Sequence, residues 1–226
     1  MSNRVRRTTG ALLIAACLLQ AGCSPMLRPK PDATCYYLLA PLSGSGGSEA
    51  GRLDPTPCTG LSIGLAPVRL PAYLDRDQMV TRPSPNRIEV AASDRWAEPL
   101  AESFGRVLAE NLAALLRASR MVRHPVRASG LDYEVQVDVE RFECKADHAA
   151  GLAARWVLKD GRTRDVLLSR RMALTRPARA ADTAGSVAAL SEALGELSLE
   201  IAAAICQARS QAAASAPRPG FEPAPE

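Results

Sequence analysis

From Leu131 to Glu140 the chain alternates without a break. Leu131, Tyr133, Val135, Val137 and Val139 occupy one parity, and Asp132, Glu134, Gln136, Asp138 and Glu140 the other. A period of two predicts a strand with one buried and one solvated face, and the solvated face is where these acids are expected. After Arg141 the apolar parity shifts to Phe142 and Cys144, the pattern that a bulge leaves. Shorter apolar pieces predict more strands, at Tyr36 to Leu39 and at Leu61, Ile63 and Leu65. Met79 to Arg82 and Arg87 to Val90 flank Pro83-Ser84-Pro85-Asn86, a hairpin whose prolines bar a continuous strand. Trp156 to Leu158 and Val166 to Leu174 flank Asp160-Gly161, a pair able to supply positive φ for a tight turn.

Two segments change to steps of three and four. Leu100, Phe104, Val107, Leu108, Leu112 and Leu115 form one stripe, with Glu102, Arg106 and Glu110 on the far side at i,i+4 spacing. Pro99 suits the first helical position, where its missing N–H costs nothing. Val187, Leu190, Leu194, Leu197, Ile201 and Ile205 form a second stripe, with Glu192, Glu196 and Glu200 opposite it in solvent. Each helix offers one apolar face and needs a flat partner. The expected fold class is therefore α/β: a two-layer sandwich of a mixed β-sheet packed against two long amphipathic helices.

The ends of the chain read differently. Arg4, Arg6 and Arg7 precede an uncharged apolar run, Ala11 to Leu19, which ends in Gln20-Ala21-Gly22-Cys23. This is the order of a secretory signal, and the run is too short to span a hydrocarbon core that needs roughly 20 residues. Small residues before a cysteine resemble a bacterial lipobox, so residues 1–22 are expected to be a lipoprotein-type signal peptide and Cys23 the acylated N-terminus. Gln20 departs from the aliphatic residue usual three places before the cysteine. Several acyl chains give durable anchoring where one binds a bilayer only marginally. Ser24, rather than an aspartate, after the cysteine points to the outer membrane by the usual sorting pattern. Residues 23–34 hold Pro25, Pro29 and Pro31 and read as an extended tether, standing the domain about 30 Å off the lipid. Residues 43–60, with SGSGGSEAG, Pro55 and Pro57, read as a loop. The ordered domain is expected over 35–209, and 210–226, rich in Pro and Ala, as a tail that cannot order itself.

Charge and composition narrow the function. The net charge of +4 falls to +1 without the first 22 residues, which leaves 25 basic against 24 acidic groups. Recruitment of nucleic acid by bulk charge is thereby disfavoured. With only His124 and His148, histidine-based triads and metal sites have little to draw on. Gly44-Ser45-Gly46-Gly47 lacks the lysine of a phosphate loop and reads as linker. Cys144 and His148 are spaced like half a zinc site with no second pair. No serine is expected in a nucleophile elbow: Ser62 stands in the G-x-S-x-G string Gly60 to Gly64, but inside the strand-like alternation of Leu61, Ile63 and Leu65. Asp132, Glu134, Asp138 and Glu140 read as a solvated ladder rather than as catalytic acids. No enzyme, cofactor or metal is expected.

Once Cys17 is removed with the signal and Cys23 is acylated, Cys35, Cys58, Cys144 and Cys206 remain. An even number in an exported chain suggests disulfides, with three possible connectivities. Cys35 with Cys58 is the expected pair, because both precede strands that could start side by side. Cys144 with Cys206 follows if the last helix lies over the long strand.

The segments IGLAPVRLPAYLDRDQMVTRPSPNRIEV, from Ile63 to Val90, and DRWAEPLAESFGRVLAENLAALL, from Asp94 to Leu116, resemble the PqiC-like ABC-type transport auxiliary lipoproteins. The later LDYEVQVDVERFE, the Trp156 hairpin and the closing helix extend the resemblance over about 35–207. It implies a non-enzymatic, periplasm-facing outer-membrane lipoprotein that works beside an MCE-domain transport protein in intermembrane lipid transport and docks the conduit that bridges the envelope. Self-association into a homo-oligomer is also expected. A different class, an outer-membrane activator of a peptidoglycan synthase, uses a similar tethered domain but a far longer spacer. A lipid-modifying hydrolase would need a nucleophile–base pair that the chain does not show. The segment from Pro71 to Arg82 sets Tyr73, Leu74 and Met79 among Asp75, Arg76, Asp77 and Arg82. Apolar residues rimmed by charge are what an interface needs, so Tyr73, Leu74, Arg76, Met79 and Arg82 are the candidate partner surface, with the arginines as exposed rim charges.

Overall fold

The alternating segment becomes the longest strand of a mixed eight-stranded sheet in the computed structural model, which describes residues 33–42, 58–123 and 130–215. Cys23, the tether up to residue 32, the glycine loop as far as residue 57, His124 and the tail from residue 216 lie outside the described residues. The strands are β1 (Cys35–Tyr37), β2 (Ser62–Leu65), β3 (Gln78–Ser84), β4 (Arg87–Trp96), β5 (Arg120–Arg123), β6 (Tyr133–Lys145), β7 (Ala150–Asp160) and β8 (Val166–Arg176). The helices are α1 (Leu100–Leu116) and α2 (Thr183–Ser215). β6, β7 and β8 form an antiparallel meander. The other edge of β6 takes two partners in turn. Its start pairs in parallel with β2, which pairs with β5, and its end pairs in parallel with β3, which leads through β4 to β1. Between them the chain from Ala66 to Arg69 runs beside β6, bonded to Val135, Val137 and Val139.

The helices pack on each other, and α2 crosses β6, β7 and β8. All six apolar residues of each predicted stripe are buried. Burial of a Leu, Ile or Val side chain contributes about 1.5–3 kcal/mol, so these stripes and the inner face of β6 account for much of the core. Phe104 of α1 meets Phe142 of β6 edge to face, with centroids 5.1 Å apart. Pro99 caps α1 one place before its first turn, and Arg106 binds Glu98 at 2.7 Å as well as Glu110 at 3.2 Å.

Several expectations need correction. α2 is not amphipathic in the simple sense: Ser186, Ser191, Ser198, Ala189 and Ala193 are buried along with its stripe. Glu192, Glu196 and Glu200 are half-buried rather than solvated; they meet Arg179, Arg176 and the indole N–H of Trp156. The helix continues to Ser215, past the point where a tail is expected, because its early residues are held by the sheet and its alanines extend it. β3 runs through Pro83 to Ser84, and the proline is absorbed by a register shift between Thr81 and Ser84. Positive φ in the β7–β8 connection belongs to Arg164, not to Gly161. Gly161 serves close approach instead, since a Cβ there would stand 2.2 Å from the Leu131 carbonyl oxygen. Asp160 accepts the N–H groups of Arg162 and Thr163 at 2.8 and 2.9 Å, which makes the turn.

The cysteines pair differently from either expected bond. Cys58 joins Cys206, and Cys144 lies buried in the core while Cys35 stands exposed on β1. The reason is strand order: β1 pairs with β4, placing Cys35 opposite Asp94, whereas Cys58 sits in the turn leading to β2, 5.2 Å from Cys206 of α2 between Cα atoms.

Candidate functional site

The predicted bulge is present: the β6–β7 register shifts between Val139 and Arg141. Its consequence is a change of face. Before it, the outer face carries Glu134, Gln136, Asp138 and Glu140; after it, Arg141, Glu143 and Lys145. The outer face is not simply solvated. Asp138 binds Arg69 at 2.6 Å, Glu140 binds Arg171 at 2.7 Å, and Glu134, only 4% exposed, is held by Arg164. Such partly exposed charge pairs on a sheet face are ordinary surface ion pairs rather than a site.

Glu143 is different, and alternation alone does not find it. It is 4% exposed and accepts three donors: the Tyr73 hydroxyl at 2.7 Å, Arg82 Nε at 2.6 Å and the Phe142 N–H at 3.1 Å. A buried carboxylate tolerates desolvation only when its lone pairs are occupied and its charge is balanced. Arg82 supplies the balance, lies over the Tyr73 ring at 5.2 Å and donates a further bond to the Pro85 carbonyl at 3.0 Å. Tyr73 comes from a 3-10 turn, Ala72–Leu74, that folds over β6 from far away in sequence. Burial, and then the hydrogen bond to Glu143, push its pKa up to about 12, so it remains a donor. The sequence signal for Glu143 was the apolar pair Phe142 and Cys144 on either side of it. Nothing local in the sequence announces the loop that covers it.

The five residues expected to form a partner surface are thereby separated. Leu74 and Met79 are core, at 2% and 7% exposure, and present nothing to a partner. Tyr73 and Arg82 are half-buried around Glu143, so Arg82 is not a free rim charge. Arg76 is exposed between exposed Asp75 and Asp77. The cluster has no nucleophile or open acid: every group in it is engaged in holding the loop to the sheet. Among the described residues no group of three or more His, Cys, Asp or Glu is placed to hold a metal, and no helix is long and apolar enough to cross a membrane.

The family model described as the ABC-type transport auxiliary lipoprotein component matches residues 45–202. The chain belongs to that family. No curated protein matches this auxiliary lipoprotein. Among solved structures it is similar to protein XCC0632 from Xanthomonas campestris, with 20% identity and a TM-score of 0.62 over 80% of this chain and all of that one. A second crystal structure, of an uncharacterised protein, superposes with a TM-score of 0.61 and 21% identity over 76% of this chain and 98% of that one. At these identities the likeness establishes a shared fold. The matched segment contains the Pro71 to Arg82 loop, the bulge, Glu143 and most of α2, so the auxiliary lipoprotein's family core and the buried cluster coincide.

Proposed function

We propose that this auxiliary lipoprotein is a non-enzymatic component of an MCE-type intermembrane lipid transport system. It is anchored in the outer membrane through acylated Cys23, faces the periplasm, self-associates, and docks the conduit that spans the envelope. The family match across 45–202, joined to a cysteine at the end of a signal-like segment, carries the reading. The exposed Asp75-Arg76-Asp77 turn, held in place by the Glu143 cluster beneath it, is the proposed docking point; fixed charges on an ordered loop give orientation without a large ordering cost.

Two measurements test it. Cys23→Ala is expected to abolish incorporation of labelled fatty acid and leave the precursor uncleaved; a variant still matured and membrane-bound overturns the anchoring. A photoreactive amino acid at position 76 is expected to trap an MCE-domain protein in intact cells, while one at exposed position 210 is not. Capture of a peptidoglycan synthase from position 76, or no capture there, overturns the docking assignment.

A further inference from the structure

The change of face at the bulge also builds a cleft. Arg141 and Lys145 share the outer face of β6, and the parallel register sets Arg82 of β3 opposite Lys145. Where the β3–β4 hairpin meets the β6–β7 turn, these three cations line a cavity of about 570 Å³. That volume is in the range of small-molecule sites, roughly 300–1,000 Å³, and the concavity favours a compact ligand over a protein surface.

The charges are only partly answered by the protein. Glu143 balances Arg82 from below. Lys145 reaches a neutral acceptor, Thr175 Oγ1, at 3.4 Å, and Arg141 is exposed. The one acid in the lining, Asp147, already accepts the Ala149 N–H at 3.1 Å in the turn. Pro83, Ser84 and Pro85 also line it. Prolines bring no N–H donors and little flexibility, so recognition there rests on the cationic side chains, on the Ser84 hydroxyl and on apolar contact. Guanidinium and ammonium together suit a tetrahedral oxyanion, the first by its fork of donors and the second as a point charge.

We propose that this cleft binds a phosphate-bearing anion, either free phosphate or the phosphate of an anionic lipid headgroup, with Arg141 and Lys145 as its principal contacts. The proposal stands on the cleft's own lining and does not depend on the transport assignment. It is tested by calorimetric titration of the full chain in non-ionic detergent with three probes: inorganic phosphate, dihexanoylphosphatidylglycerol and dihexanoylphosphatidylcholine. At least one of the first two is expected to bind, with the choline lipid, whose phosphate charge is internally neutralised, at least tenfold weaker. Tenfold preference for the glycerol lipid over inorganic phosphate assigns the headgroup; equal affinity assigns free phosphate. Arg141→Gln with Lys145→Gln is expected to lower the affinity at least tenfold, with an unchanged melting temperature showing that the fold is retained. Absence of binding by both anions, binding undiminished in the double variant, or displacement only by a pentaglutamate peptide overturns the proposal, the last by giving the cleft to an acidic protein segment.

Discussion

At the scale of single residues, two arginines in one loop have opposite expected sensitivities. Arg76→Glu changes an exposed charge and is expected to alter stability by less than about 0.5 kcal/mol. Arg82→Glu sets a second carboxylate against buried Glu143 and is expected to cost about 3 kcal/mol or more, because one partner of a buried pair is left without its counter-charge. Urea denaturation of the two variants checks the contrast; equal stabilities would remove Glu143 from the stabilising core. Tyr73 adds a pH signature. Its folded pKa, raised from 10.0 to about 12, means that its contribution is fully present below pH 10 and is lost as pH rises toward 12. Tyr73→Phe is expected to cost about 2 kcal/mol at neutral pH and to flatten that alkaline decline, as read from melting temperatures between pH 8 and 12. Tyr73 and Arg82 were legible in the sequence as aromatic and charge in one loop. Their partner was not, because pairing across 61 and 70 residues is set by tertiary folding.

At the scale of elements, periodicity located both helices and every strand except β5, whose four residues, Arg120 to Arg123, are too few to show a period of two; it also failed where a helix is buried on more than one side. α2 interrupts its apolar positions with serines whose hydroxyls turn back to the helix or across to other segments. Ser191 receives the Ala40 N–H at 3.1 Å, and Ser198 receives the Asn111 amide at 3.0 Å. Asn111, 1% exposed on α1, also accepts the Leu42 N–H at 2.8 Å, so one polar side chain fastens both helices and the segment after β1. A polar residue within an apolar stripe reads as a surface position from sequence, since the stripe does not show that a second helix covers it. Asn111→Ala is expected to cost about 2–3 kcal/mol in chemical denaturation, and to increase hydrogen exchange at Ala40 and Leu42 before the rest of the sheet. A loss confined to global stability, with no local change at those amides, would count against the fastening role.

For the whole molecule, the Cys58–Cys206 bond matters most because it links the entry to β2 with the last helix across 148 residues. In the chain-entropy model a loop of that size is worth about 5 kcal/mol, the upper end of what a disulfide contributes. Cys58→Ser with Cys206→Ser is therefore expected to lower stability by several kcal/mol. Alkylation at pH 8 distinguishes the remaining thiols. Exposed Cys35 is expected to react in the native protein, and Cys144 only on unfolding, since burial raises its pKa to about 11. Modification of Cys58 or Cys206 without prior reduction would refute the bond. The sequence showed that cysteines should pair but not which, because the choice depended on strand order: had β1 lain beside β2, Cys35 would have been the nearer partner.

The same bond changes how the domain carries load. A pull applied between Cys35 and Ser215 can lengthen only the stretches outside the covalent ring, from 35 to 58 and from 206 to 215. At about 3.5 Å per residue these pay out roughly 110 Å, against roughly 630 Å for the reduced chain. The first to yield should be β1, held to β4 over only three residues, while the sheet and the loop over Glu143 stay intact inside the ring. A domain drawn between a membrane and a partner would thus give at its mooring before it lost its working surface, and single-molecule extension with and without reductant would show the two lengths directly.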